Sequence, residues 1–157
     1  MFRPMRRKER QLDDAAARQL LKTARRGVLA VCGDDGYPYA VPINYLYDEE
    51  AGKIYFHGAS AGHKFESISR CDKVCFTVYG NESIKKESWA PFVQSVVVFG
   101  RCSLPAPSDK TAAEIFRFAQ KYYPDDELIK KEMSAYAKAQ LYVISIEHMT
   151  AKEIQEK

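Results

Sequence analysis

The sequence predicts an α+β protein built on a small antiparallel barrel of six strands with flanking helices, and three observations carry that expectation. Strand-like runs follow one another across short Gly- and Asp-rich turns, the signature of antiparallel pairing. Helical periodicity is inserted between groups of strands and does not alternate with them, so a doubly wound parallel sheet is not expected. The 157 residues suit one domain with a real core; residues 1–157 are read as that domain, opening on a basic arm over 1–11.

The elements follow in order. Asp13 or Asp14 caps a helix running to about Arg25, with Leu12, Ala16, Leu20 and Leu21 on one stripe and Gly27 as its stop. The run GVLAVCG is a short buried strand, and DDG after it is a hairpin signal. YPYAVPINYLY continues extended, and its two prolines, which lack ladder donors, demand an edge or a bulge. After the turn DEEAG the chain returns as KIYFHG, making the first half a meander of three strands. HKFESISRC is a short helix with Phe65 and Ile68 at i, i+3, and KVCFTVYG is the next strand. Residues 81–92 are polar and irregular and hold the single tryptophan, Trp89, placed equally well in the core, at the rim or over a ligand. VQSVVVFGRCSL is a long β-branched strand. Ser108 or Asp109 caps a helix with Ile115, Phe118, Ala119 and Tyr122 on one side, a second helix spans about Asp126 to Ala139, and LYVISIE closes the chain.

Composition narrows the function. Charged residues at 29% and hydrophobic ones at 46% are ordinary for a soluble globular protein, and no apolar run approaches the roughly 18 residues a membrane helix needs. The opening MFRPMRRKER lacks an apolar segment, so no signal peptide is expected and the cytoplasm is the default. Cys71 and Cys75 are spaced CxxxC without a histidine pair, so no metal site is expected; Cys32, Cys75 and Cys102 sit in apolar runs as small hydrophobes. Net charge is +3, much of it from Arg3, Arg6, Arg7, Lys8 and Arg10. Such an arm reads as a solvated lead-in to the helix, and no recognition-helix or stacking motif accompanies it, so nucleic acid is not the expected partner.

The stretch IYFHGASAGHKFESI concentrates the chemistry. A phosphate needs cations and free backbone N–H groups, and a helix N-terminus supplies the latter with a favourable dipole. Gly58 and Gly62 permit close approach, Ser60 offers a hydroxyl, and His63 and Lys64 fall in the first helical turn. A lysine there opposes the macrodipole at a cost of about 0.3–1 kcal/mol unless an anion is present. The residues alone leave two readings open, an ordinary strand-to-helix turn and a phosphate cradle. His57 ends the strand on the face opposite Phe56, where a structural imidazole and a proton donor are both compatible with the pattern.

Three segments taken together, GDDGYPYAVPINYLYD, IYFHGASAGHKFESI and SVVVFGRC, resemble the FMN-binding split-barrel proteins related to pyridoxamine-phosphate oxidase, and among them the NimA-type nitroimidazole-resistance branch. The likeness runs from about residue 5 to 150, and MRRKER resembles the opening of many members of that branch. It implies a six-stranded antiparallel split β-barrel that forms a homodimer with flavin in two interface clefts. By position, Val41, Pro42, Ile43, Asn44 and Tyr45 would run along the isoalloxazine, offering backbone groups. The turn His57, Gly58, Ala59 and Ser60, with His63 and Lys64, would receive the ribityl phosphate, and Ser95, Val96 and Val97 would approach from the partner subunit. The position of His57 lies near the reactive face in that branch, which makes it the candidate catalytic residue. With the resemblance, the cradle becomes the expected reading of the stretch.

The cofactor implied is FMN, while an arm able to reach a longer ligand keeps FAD open. Because the chain lacks the arginine-rich phosphate site of true pyridoxamine-phosphate oxidases, vitamin B6 oxidation is not the expected reaction. The leading expectation is a flavin-dependent reductase of nitroimidazole-like or other small electrophilic substrates. The alternatives are a flavin or haem carrier or sensor without turnover, with His57, His63 or His148 as haem ligands, and a nucleic-acid binder using the arm.

Overall fold

The computed structural model describes residues 1–136 and 139–156, with the side chain of residue 135 outside that description. Seven strands form one antiparallel sheet: β1 (Arg26–Cys32), β2 (Pro38–Asn44), β3 (Leu46–Asp48), β4 (Lys53–Gly58), β5 (Lys73–Ser83), β6 (Phe92–Ser103) and β7 (Gln140–Gln155). Four helices accompany them: α1 (Asp14–Thr23), α2 (His63–Arg70), α3 (Asp109–Tyr122) and α4 (Asp126–Tyr136).

The strand order is β2-β1-β5-β6-β7-β4-β3. Strands β2 and β3 lie at the two ends of that order, yet only Tyr45 separates them in sequence. A flat sheet cannot satisfy both facts, so the sheet curls until its edges meet. This is the seventh strand: the expected single run YPYAVPINYLY is divided at Tyr45, where the chain leaves one edge for the other. Tyr122 staples the seam. Its hydroxyl accepts the Tyr45 N–H at 2.7 Å and lies 2.7 Å from the Tyr45 carbonyl and 2.6 Å from that of Arg25, donating to one at a time. The expected meander is likewise corrected: β1–β2 and β3–β4 are hairpins on opposite sides of the β5-β6-β7 block. The two prolines of β2 are accommodated because β2 is an edge strand.

The barrel interior is filled by Leu29, Ile54, Phe56, Phe76, Val96, Val98 and Ile144, with Ala17, Leu20 and Leu21 of α1 packed into the same cluster. A smaller cluster of Tyr55, Leu141 and Val143 with Ile115 places α3 on the outer face of β4 and β7. The Asp13 carboxylate caps α1 by accepting the Ala16 N–H at 2.8 Å, and Ser108 and Thr111 cap α3 reciprocally.

Gly27 does not stop α1, which ends at Thr23; it lies inside β1, facing the core. A Cβ there would stand 2.3 Å from the Phe76 ring. Gly27→Ala is expected to lower stability by about 1–3 kcal/mol through overpacking, read as a lower urea midpoint at unchanged slope. The closing strand is far longer than LYVISIE because β7 pairs with β4 along its first part and with β6 along nearly its whole length. Of the second expected helix, residues 137 and 138 lie outside the described residues, and Ala139 already donates to the Tyr136 carbonyl as the chain turns into β7. Trp89 is 81% exposed between β5 and β6, so it does not sit in the core.

Candidate functional site

A cleft of about 680 Å³ opens between the end of the barrel and the α3–α4 pair. Its floor is Pro42, Ile43 and Asn44 from β2, His57 from β4 and Lys64 from α2. Five residues singled out from two separate sequence segments are thus brought together. The reason is the seam: the end of β2 crosses beside the end of β4 once the edges meet.

Lys64 is the electrostatic centre. Its ammonium is half-buried, 5.3 Å from the Phe56 ring centroid and 5.0 Å from that of Tyr142. It belongs to no ion pair among the described residues. Burial pushes its pKa below the ordinary lysine value. A Cβ on Gly58 would come within 3.3 Å of Lys64 Nζ, so glycine keeps the strand end open beside the cation. Behind it, α2 begins at Gly62 (φ +91°) with no side chain capping the helix. Its first-turn N–H groups are the usual orphans of a helix start. A half-buried cation without a counter-ion among the described residues, next to uncapped N–H groups, fits a phosphate.

His57 stands beneath the helices, its ring 4.9 Å from Phe118 and 5.5 Å from Tyr136, both edge-on. Burial first, and then the charge of Lys64, push its pKa below 6.5, leaving the imidazole neutral at pH 7. No protein acceptor or donor engages it among the described residues.

The other expected residues are placed differently. Val41 and Tyr45 turn inward, and the buried Tyr45 hydroxyl donates to the Leu21 carbonyl at 2.6 Å. The Ala59 carbonyl accepts from the Tyr142 hydroxyl at 2.6 Å, pinning the turn, and Ser60 is exposed on it. His63 turns away from the cleft, stacking on Tyr39 at 4.0 Å with Nε2 3.5 Å from Asp34 Oδ2, and Arg70 shares that carboxylate. Ser95 and Val97 are part-exposed on the outside of β6, whereas the Val96 side chain is fully buried in its own core.

The roof is what sequence reading missed. Phe118 and Tyr122 of α3 face Ile129, Met133 and Tyr136 of α4 across the cleft. The stripe on α3 is visible in the sequence, where it reads as an ordinary core face. The available signal is a second apolar stripe on α4, Ile129, Met133 and Tyr136 at i, i+4 and i+7.

Lys121, beside the seam, donates to the Ala24 carbonyl at 2.7 Å and lies 4.0 Å from the Tyr45 ring centroid. Burial, then the nearby Arg25 charge, push its pKa from 10.5 to about 8. The unfolded chain keeps this proton up to the ordinary lysine range, while the folded one releases it near 8. Stability is therefore expected to gain from this group as pH rises from about 8 towards 10. Lys121→Met should flatten that slope in melting curves taken across the window.

Residues 13–153 match the family model described as pyridoxamine 5'-phosphate oxidase. The chain belongs to this family. Among solved structures, a Bacteroides thetaiotaomicron protein assigned to 5-nitroimidazole antibiotic resistance superposes with a TM-score of 0.77 at 17% identity, covering 92% of this chain and 87% of that one. An FAD-binding protein from Mesorhizobium loti gives 0.66 at 24% identity, covering 92% and 97%. A flavocytochrome from Azotobacter vinelandii gives 0.76 at 18% identity, covering 98% and 75%. At these identities the likeness establishes the split-barrel fold. A 5a,11a-dehydrotetracycline/5a,11a-dehydrooxytetracycline reductase from Streptomyces rimosus is 37% identical over 60 residues, which span 37% of this chain and 42% of that protein. Like its relatives in the pyridoxamine 5'-phosphate oxidase family, the chain is a curled antiparallel sheet with helices set against it. No helix of the described residues is long and apolar enough to cross a membrane.

Proposed function

We propose that this member of the family is a flavin-dependent reductase of small electrophilic substrates, such as nitroimidazole-like compounds, acting as a cytoplasmic homodimer with FMN as its flavin. The observation that carries the reading is Lys64, a half-buried ammonium with no counter-ion among the described residues, on the floor of a cleft of about 680 Å³. Family membership, and the FAD-binding protein and flavocytochrome that share the fold, support a flavin as the cofactor.

Bound flavin would supply the electron pair for reduction. This chain's residues hold and surround it. Lys64 and the α2 N-terminus take the phosphate, while the free edge of β2 presents the backbone groups of Asn44 and the Pro42 carbonyl to a polar ring. Pro42 interrupts that edge, since it has no N–H to give. His57 sits close enough to share the cleft; neutral while the cleft is empty, its imidazole can take up a proton from solvent and, as imidazolium, pass it to a substrate anion. An anion on Lys64 would cancel the charge that helps depress His57, raising its proton affinity when the cleft is loaded. Phe118, Met133 and Tyr136 exclude water and offer a flat apolar surface to an aromatic electrophile. Ser95 and Val97 belong to the face offered to a second copy.

An absorption spectrum of the purified protein, before and after denaturation, tests the cofactor. Bands near about 370 and 450 nm that are released on unfolding are expected for a non-covalent flavin. Protein that stays colourless with added flavin overturns the reading. Flavin that binds while nitroimidazole and enone substrates are not reduced turns it into a carrier.

A further inference from the structure

Away from the cleft, four cationic side chains line one small pocket: Arg6, Arg7 and Arg10 from the N-terminal arm, and Lys152 from β7. The pocket measures about 260 Å³, and Met5 and Ile154 complete its wall. None of the four cations is in an ion pair among the described residues.

The backbone holds the arm in place. The Leu12 N–H donates to the Ala151 carbonyl at 2.9 Å, and Gln11 forms an isolated β-bridge with Lys152. A 3₁₀ turn at Lys8–Arg10 is closed by the Arg10 N–H on the Arg7 carbonyl at 3.1 Å. One nearby carboxylate is engaged elsewhere. Glu153, which alternates to the other side of β7 from Lys152, accepts from Lys85 at 2.6 Å and Gln94 at 3.1 Å. Glu9 lines the neighbouring groove together with Arg10 and Glu153 and forms no ion pair with Arg10 among the described residues.

Four like charges around one space repel each other, and a compact anion with two or more charges offsets that repulsion. Three of them are guanidinium forks, which bind phosphate oxygens in pairs. We propose that this pocket binds the phosphate or pyrophosphate group of a small molecule, separately from the flavin cleft. Convergence on a single pocket with an apolar wall favours a compact phosphate ligand over a nucleic-acid backbone, which spreads its charge along a stripe. The proposal does not rest on the flavin reading.

Calorimetric titration with pyrophosphate at constant ionic strength tests it, in the Lys64→Gln protein so that the cleft's own cation is absent. Binding of one pyrophosphate per chain is expected, and adding Arg6→Gln with Lys152→Gln is expected to weaken it by about tenfold or more. Absence of binding, or equal affinity after the two further substitutions, overturns the proposal. So does duplex DNA that outcompetes pyrophosphate, which marks a polyanion surface, or a loss of flavin affinity on making Arg6→Gln with Lys152→Gln alone, which assigns the cluster to the cofactor. Should the combined variant fail to fold, Lys152→Gln by itself repeats the comparison at an exposed position.

Discussion

Lys64→Ala is expected to weaken flavin binding by about 1.5–3 kcal/mol, roughly ten- to 150-fold, the scale of a hydrogen bond to a charged group. The side chain lies over Phe56 and Tyr142 and has no carboxylate partner among the described residues, so its half-burial opposes the charge it carries. Removing it relieves that desolvation in the flavin-free protein. Melting of the flavin-free variant should therefore not fall in step with affinity, which separates a binding role from a packing one. Flavin fluorescence quenching measures the affinity; an unchanged dissociation constant takes Lys64 out of the site.

His57→Gln is expected to leave flavin bound and to lower reductase turnover by about 10²–10⁴-fold, the contribution typical of a positioned proton donor. Glutamine keeps a polar group near Phe118 and Tyr136 but cannot exchange a proton near neutrality. The pH profile discriminates further. Burial and Lys64 set the His57 pKa below 6.5 in the empty cleft, so the wild-type rate should carry a limb that the variant lacks. Turnover at the wild-type rate with an unchanged pH profile would make His57 structural.

Much of this arrangement is legible in the sequence because it depends on local rules. Asp13 and Ser108 announce their helices through capping chemistry, and both serve as caps. The oddity of Lys64 in a first turn is a local electrostatic contradiction, and the fold leaves it uncompensated among the described residues. Other features depend on distant chain and are invisible to periodicity. Tyr45 reads as one more residue of a strand, and only the partners of β1 and β4 reveal that it turns between opposite edges. Gly27 reads as a helix stop, since nothing nearby says that Phe76 will occupy the space of its Cβ. His63 and Lys64 are neighbours in sequence, yet the helix aims one at Asp34 and the other into the cleft.

The one-residue seam also bears on how the molecule assembles. Each edge hairpin needs a central strand that is made later: β1 pairs with β5, and β4 pairs with β7. Tyr122, which bonds the seam, lies 77 residues downstream of Tyr45. A chain emerging from the ribosome N-terminus first thus carries the β1–β2 hairpin unpaired until β5 is made, and the β3–β4 hairpin unpaired until the last strand, β7, arrives. Non-local closure of this kind slows folding and prolongs exposure of pairing-competent edges. The floor of the cleft, drawn from both sides of the seam, comes together only in the final step, so a ligand has nothing to bind before the sheet has closed.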